Sequence, residues 1–481
     1  MNQTHRAAVW VFLVLLGTYA FFWHSRDWNS ASRLMLTYSL VDRGTIKLDG
    51  LERNTGDIAR FRGHSYTDKL PGYSLLAVPV YALAKVALRL PDQPMHQAAM
   101  THWRADYWVT LGTSGLLTAG AGALLVTLAS GLGCGPRRSA LIGLTYGLAT
   151  PATVYATLAY GHQVSAFALL ASFALIGQGH EGVRASTFRA ALAGLLAAFA
   201  AVVELQVGPV SAILGLWLLV LACAGRWRWG AVGAFAIGAL VPTLILLGYN
   251  QLAFGSPWDM GYFHERLELF NQVHSQQNPL GLRRPDWSIA RPLLWGGHRG
   301  LLFYAPILIL AVPGWVALLT MRRWGTAVVS FLMCLAVFLV NLSYPHWTGG
   351  WSTGPRLLVP LLPFAMLPVA ALLAVGGRPL TAFAITLAVI GGVLMLLFQG
   401  VGGRIAHDLA DPLLGIVWPL WRGDPVPFWW TGGRFDRTVI SWIWPETSQS
   451  WLQFVPLAIF QAVAIGIIIW RTNTFYTDES E

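Results

Sequence analysis

The chain has 481 residues, of which 55% are hydrophobic and 11% charged, and it carries a formal net charge of +10. Soluble domains carry about 25% charged residues, so this composition, with a mean hydropathy of +0.54, excludes a water-soluble globule and requires lipid as the solvent. The basic excess does not point to nucleic acid: the Lys and Arg residues lie mostly in short connections between apolar runs, where they orient helices.

A membrane-crossing helix needs about 20 mostly apolar residues. In chain order the runs that qualify are 7–23, 72–90, 107–131, 138–160, 162–178, 188–204, 208–224, 229–253, 300–320, 325–344, 356–376, 379–401 and 452–471. The first is followed by a bulky segment around His24 and not by a small-residue cleavage site, so it reads as an uncleaved helix. The expected architecture is an all-α, polytopic transmembrane fold of 12–13 membrane segments, built as one integral membrane domain over 1–481. Three long polar stretches interrupt the runs: 24–71, 254–299 and 402–451. The first is expected to carry juxtamembrane helices, the second to act as a lid, and the third to precede the last helix. Amphipathic pieces at 31–42 and 263–273 are expected on the membrane surface.

Orientation follows from the basic residues. Arg137 and Arg138, Arg184 and Arg189, Arg226 and Arg228, Arg322 and Arg323, Arg378 and Arg471 fall in alternate connections. Placing these in the cytoplasm puts the three long stretches, the 345–355 turn, His162 and Glu204 outside. Run 72–90 then starts and ends outside and is expected to be an embedded hairpin or interfacial segment; a thirteenth crossing is the alternative. Cys134, Cys223 and Cys334 suggest no disulfide and no thiolate metal site.

The residues able to carry chemistry lie on this outer side. In Tyr66-Thr67-Asp68-Lys69-Leu70-Pro71-Gly72 a lysine stands at the mouth of an apolar run, at the depth of a lipid phosphate. Arg299 begins another run. The turn from His346 through Trp347 and Trp351 to Arg356 offers glycines for close approach, indole faces for a sugar or isoprenoid, and a fork for phosphate. His162 and Glu204 are ionisable groups at helix ends. His264, His274 and His298 share a loop without ligand spacing, so a divalent metal is compatible with the chemistry but not indicated, and no cofactor is required.

These blocks, in this order, resemble the GT-C superfamily of membrane glycosyltransferases, and are similar to its bacterial members related to protein O-mannosyltransferases and lipid A aminoarabinose transferases. The resemblance covers roughly residues 1–400. It implies a GT-C-like helical domain in the inner (plasma) membrane of a bacterial cell, with a site on the periplasmic or extracellular face. It further implies a polyprenyl-phosphate-linked sugar donor and a glycan, lipid or protein acceptor. On that reading Lys69, Arg299 and Arg356 bind the lipid phosphate. Tyr66, Asp68, His162, Glu204, His346, Trp347 and Trp351 line the substrate. The family's base is an acid early in the first outer loop. Anchored on Gly44 that position falls on Asn29, so Asp27 takes the role, with Asp57 as runner-up. The implied reaction moves a sugar from the lipid phosphate to an acceptor hydroxyl. A transporter or lipid-linked-sugar flippase is the alternative, distinguished by paired charges at mid-helix and by related halves. A non-enzymatic assembly protein and a diphosphate-using ligase remain further readings.

Overall fold

The computed structural model describes residues 3–24, 26–92, 103–177, 187–268, 272–426, 435 and 437–471. In lipid every backbone N–H must be satisfied within its own segment, so charge-free runs of Leu, Ala, Val and Phe become helices. Eight are long and apolar enough to cross a membrane by length and composition: Gln3–Phe21, Trp103–Gly131, Leu205–Cys223, Trp229–Phe254, Trp324–Leu342, Arg356–Val375, Arg378–Val401 and Trp451–Arg471. Four shorter apolar helices accompany them: Gly72–Leu88, Gly161–Gly177, Thr187–Val203 and Pro306–Thr320. The result is an all-α, multi-pass membrane fold.

Helix Arg356–Val375 stands at the centre, 83% buried, whereas Arg378–Val401 is only 17% buried. The latter turns Phe383, Ile385, Val389, Ile390 and Val393 outward, as a lipid-facing helix does. Arg356 is therefore the first residue of the most enclosed helix. The long stretches gather at the same end of the bundle. Arg283 N donates to Ser343 O and Asp286 N to Leu342 O, each at 2.8 Å, and Ser352 N donates to Ile405 O at 2.9 Å. Basic connections meet at the opposite end, where Arg138 Nη1 donates to Leu373 O at 2.6 Å and Arg323 Nη2 to Gly131 O at 3.5 Å.

Several segments depart from the expected pattern. Run 138–160 divides into Pro136–Leu148 and Ala152–Ala156, with Pro151 between them; proline has no N–H and cannot continue a helix. Run 72–90 is one helix, Gly72–Leu88, not a hairpin. It lies parallel to helix Trp28–Arg43, with Thr37 Oγ1 donating to Ser74 O at 3.0 Å, the Tyr38 and Tyr81 rings 4.4 Å apart, and Lys85 Nζ 2.5 Å from Asp42 Oδ1. Helix Trp28–Arg43 buries every residue from Asn29 to Ser39, so it is packed into the protein and does not lie on the membrane surface. The piece 263–273 is not an amphipathic helix over its described residues; its start pairs with a strand. That strand belongs to a hairpin, β1 (Ile58–Phe61) with β2 (His64–Thr67), in which Ile58 faces Thr67. Its turn residues Arg62 and Gly63 both have positive φ, the conformation of a two-residue hairpin turn.

Helices Thr187–Val203 and Trp229–Phe254 cross through two glycines. A Cβ at Gly238 would meet Ala191 O at 1.8 Å, and one at Gly194 would meet Phe235 O at 1.9 Å. Such contacts let backbones approach where lipid supplies no hydrophobic drive for association. Gly238→Val should therefore lower the thermal midpoint of the purified protein, by about 1–3 kcal/mol of stability. Gly233→Ala, on the same helix with nothing within 4 Å, should not.

Candidate active site

The hairpin register builds the first part of the site. With Ile58 opposite Thr67, the residues one step beyond each strand are Asp57 and Asp68, brought together across the ladder. Lys69 Nζ bridges them, 2.9 Å from Asp57 Oδ2 and 2.5 Å from Asp68 Oδ2. Asp68 Oδ1 accepts from Ser32 Oγ at 2.9 Å, which ties the hairpin to helix Trp28–Arg43. Segment 264–266 of the long 254–299 loop lies along β1: Arg60 N donates to His264 O and Arg266 N to Ile58 O, each at 2.8 Å. This delivers Glu265 onto the cluster. Glu265 is 9% exposed and its Oε2 has no partner. Burial, offset in part by Lys69, pushes its carboxyl up to about 8, and burial likewise raises Asp57 against the pull of Lys69. Burial would lower the Lys69 ammonium, but Asp57, Asp68 and Glu265 hold it well above its ordinary value.

The second part is a chain of buried charges. Arg33, 2% exposed, places Nη2 2.7 Å from Glu204 Oε1 and donates through Nε to Asn29 Oδ1 at 3.2 Å. Glu204 Oε1 also faces His162 Nδ1 at 3.7 Å. Arg356 Nε donates to His162 Nε2 at 2.9 Å, so the imidazole hydrogen lies on Nδ1, toward Glu204. The Arg356 guanidinium sits 4.8 Å from the Tyr160 ring centre, and the Tyr160 hydroxyl donates to Asp27 Oδ2. Asp27 caps helix Trp28–Arg43, accepting from Ser30 N at 2.7 Å through Oδ1. Both parts share neighbours: Glu204 and Tyr344 each feel Lys69 and Arg356. Beside them a narrow cleft is lined by His162, Glu204, Gln206 and Asn341 and walled by Val207, Val337, Val340, Leu357 and Pro360. Asn341 is 1% exposed, and neither atom of its amide has a partner.

Other expected site residues take different places. Arg299 is turned onto backbone carbonyls. It donates to Thr348 O at 2.8 Å, His298 O at 3.3 Å, Ser352 O at 2.7 Å and Gly350 O at 2.8 Å. Its fork is spent on bracing the 348–352 turn, whose Gly349 and Gly350 hold φ of 71° and 67°. That turn aims Arg356, whose Nη1 donates to Gly349 O at 2.8 Å. Tyr66 packs on Phe254, ring centres 5.4 Å apart, and is a core residue of the hairpin. Trp347 packs against the central apolar core, and Trp351 is exposed. The His346 ring stands edge-on to Tyr344, whose hydroxyl lies 3.2 Å from His274 Nε2. Among the described residues no group of three His, Cys, Asp or Glu side chains is disposed to hold a metal ion.

No family model and no curated protein sequence matches the chain. Solved structures do. ArnT from Cupriavidus metallidurans in the apo state superposes with a TM-score of 0.50 at 16% identity, over 96% of this chain and 74% of that one. The archaeal oligosaccharyltransferase AglB from Archaeoglobus fulgidus superposes with a TM-score of 0.50 at 11% identity, over 83% of this chain and 56% of that one. The chain shares its fold with these two solved membrane proteins.

Within this fold, Arg33 and Glu265 are the charged residues of the candidate site that sequence reasoning missed. Arg33 carried a usable signal: it is the one charged residue between Trp28 and Val41, and a lone arginine must be paired when buried. Glu265 carried none, because only the pairing of 264–266 with β1 places it. Asn29, where the family's acid falls, supports Arg33.

Glu265 generates a measurable consequence. Its folded carboxyl keeps a proton to about 8, and its ordinary value is 4.5. Between those values the folded state binds more protons than the unfolded one, so stability declines as pH rises through the window and levels off above it. Thermal midpoints recorded between about pH 5 and pH 9 should show this decline in the native chain. Glu265→Gln should flatten it.

Proposed function

We propose that the protein is a glycosyltransferase that moves a sugar from a polyprenyl-phosphate carrier to an acceptor hydroxyl on the extracytoplasmic side of the plasma membrane. The observation that carries this reading is a cleft with a polar end and an apolar wall, whose His162 and Glu204 are held by Arg356 and Arg33. A lipid phosphate has that duality: a charged head and a hydrocarbon tail. The AglB structure of this fold holds a dolichol-phosphate, which supports the same class of carrier here.

In this reading the phosphate is gripped by Lys69 and by Arg356, whose Nη2 makes no hydrogen bond to the protein. Asn341 meets hydroxyls of the donor sugar with its unpaired amide. The acceptor oxygen attacks the anomeric carbon and its proton passes to a carboxylate. The bond from that carbon to the phosphate oxygen breaks, and the electron pair leaves with the lipid phosphate. The two cations stabilise the charge that grows there. Asp57 is the better base: Asp27 has one oxygen in the helix cap and the other on Tyr160, whereas Asp57 pairs with Lys69 through Oδ2 and its Oδ1 has no donor among the described residues. Arg299 acts through the turn it braces, as a positioning residue.

The test is transfer from a panel of radiolabelled polyprenyl-phosphate sugars by the purified protein in liposomes. Lys69→Ala should lower the rate about 10²–10³-fold, and Asp57→Asn about 10²–10⁴-fold. Asp27→Asn should lose less activity than Asp57→Asn, because asparagine keeps the helix cap and gives up only the charge beside Tyr160. Unchanged transfer by Lys69→Ala rules out the phosphate site, and loss confined to Asp27→Asn moves the base to Asp27.

A further inference from the structure

A second polar pocket lies across the 22–27 segment from the charges described above. It is lined by Tyr19, Phe22, Trp23, His24, Asp106, Tyr107, Thr110, Leu111, Ala156 and Thr157. The same two stretches of chain, 22–27 and 156–160, that build its walls also deliver Asp27 and Tyr160 to the first site. Helix Trp103–Thr110 passes directly into a π-helical turn, Leu111–Gly115, beside it; such turns recur at functional sites.

The hydrogen bonds fix what the pocket offers. Thr157 donates its hydroxyl to Val154 O at 2.9 Å, so its oxygen must accept from Gln399 Nε2 at 2.7 Å. That orients the Gln399 amide, whose Nε2 also faces His24 Nε2 at 3.2 Å. The imidazole therefore accepts on Nε2 and carries its hydrogen on Nδ1. Burial, with Arg437 and Arg404 nearby, lowers the His24 value and keeps the ring neutral. His24 is 7% exposed, and its Nδ1 has no partner. The indole Nε1 of Trp23 is buried and has none either. Two N–H donors thus wait for acceptor oxygens, and each unmet donor costs about 1–3 kcal/mol.

The walls decide what kind of oxygen arrives. Asp106 lines the same pocket, held by Arg26 Nε at 2.6 Å and by the Tyr38 hydroxyl at 2.5 Å; the arginine meets its charge, so it offers the pocket a hydrogen-bond acceptor and no net charge. Trp23 and Tyr107 supply aromatic surface, and Thr110 supplies a hydroxyl. We infer that this pocket binds the edge of a neutral sugar, with hydroxyl oxygens accepting from Trp23 Nε1 and His24 Nδ1, as a subsite for the glycan acceptor. The acceptor role rests on the transfer reaction proposed above; the sugar binding does not. The pocket is narrow and takes the ring's edge, not the whole ring. Segment 437–442 packs against Trp23: Trp23 N donates to Arg437 O at 2.9 Å, and the Trp442 ring lies 5.0 Å from that of Trp23 and 4.1 Å from that of Trp103.

The full-length protein in lipid nanodiscs, free of sugar-based detergent, would be titrated with methyl α-D-mannopyranoside and methyl β-D-glucopyranoside by saturation-transfer NMR. The native chain should transfer saturation to the ring protons of at least one glycoside. Trp23→Phe, which keeps the ring and removes the N–H, should weaken that signal, as should His24→Ala. With a competent donor, Trp23→Phe should raise the acceptor KM about tenfold, the equivalent of one lost hydrogen bond, and leave the donor KM in place. A signal and an acceptor KM that are both unchanged in Trp23→Phe overturn the proposal: the two donors are then unmet for structural reasons only. A signal lost in Trp23→Phe from a protein that transfers sugar from no donor supports the sugar site and rejects the transfer reaction.

Discussion

The structure depends on a buried chain of charge that runs from Asp27 through Tyr160, Arg356, His162 and Glu204 to Arg33, and returns to Asp27 through the start of one helix. Removing a charge from water costs several kcal/mol unless a partner and further hydrogen bonds replace the solvent. Each member here has that replacement. The chain joins the first outer stretch, the 160–162 turn, the Glu204 junction and the mouth of the central helix. These pieces are far apart in sequence, and Leu34, Ala159, Val164 and Val203 pack into one apolar cluster beside the charges. Breaking one link leaves an uncompensated charge in a low-dielectric setting, so the arrangement is held as a unit.

The hairpin of the first outer stretch supplies the complementary constraint. A two-residue turn fixes its register, and the register alone decides that Asp57 and Asp68 face each other with Lys69 between them. The long 254–299 loop then adds a third extended segment to β1. In this way a loop lacking any long helix is seated over the site by backbone hydrogen bonds, and it contributes Glu265 while doing so. Arg299 plays the matching role on the other side, folding the glycine-rich turn around its own guanidinium so that Arg356 points inward.

The membrane segments were legible because lipid imposes a simple rule: long apolar runs must be helical. The exceptions have local causes. Pro151 divides one run, and the pairing of Gly72–Leu88 with Trp28–Arg43 makes a single helix of a segment that charge placement suggested was a hairpin. Lys69 and Arg356 could be singled out as candidates because each stands at the mouth of an apolar run, where a charge needs a reason. Arg299 stands at such a mouth too, but its partners are carbonyls of a turn some fifty residues on, and no local pattern announces them.

What the sequence determined by itself is the solvent, most of the helix inventory and the long polar stretches that gather at one end of the bundle. Hydrophobicity and Lys/Arg placement are local properties, summed over short windows. The tertiary structure decided which charges pair. It turned Asp27 into a helix cap, exchanged Arg299 for Arg33 in the charge network, and raised Glu265 from an anonymous loop residue to a buried acid. The physical reason is that an ionisable group's role is set by its partners and its dielectric surroundings. Both come from segments brought together only when the helices pack.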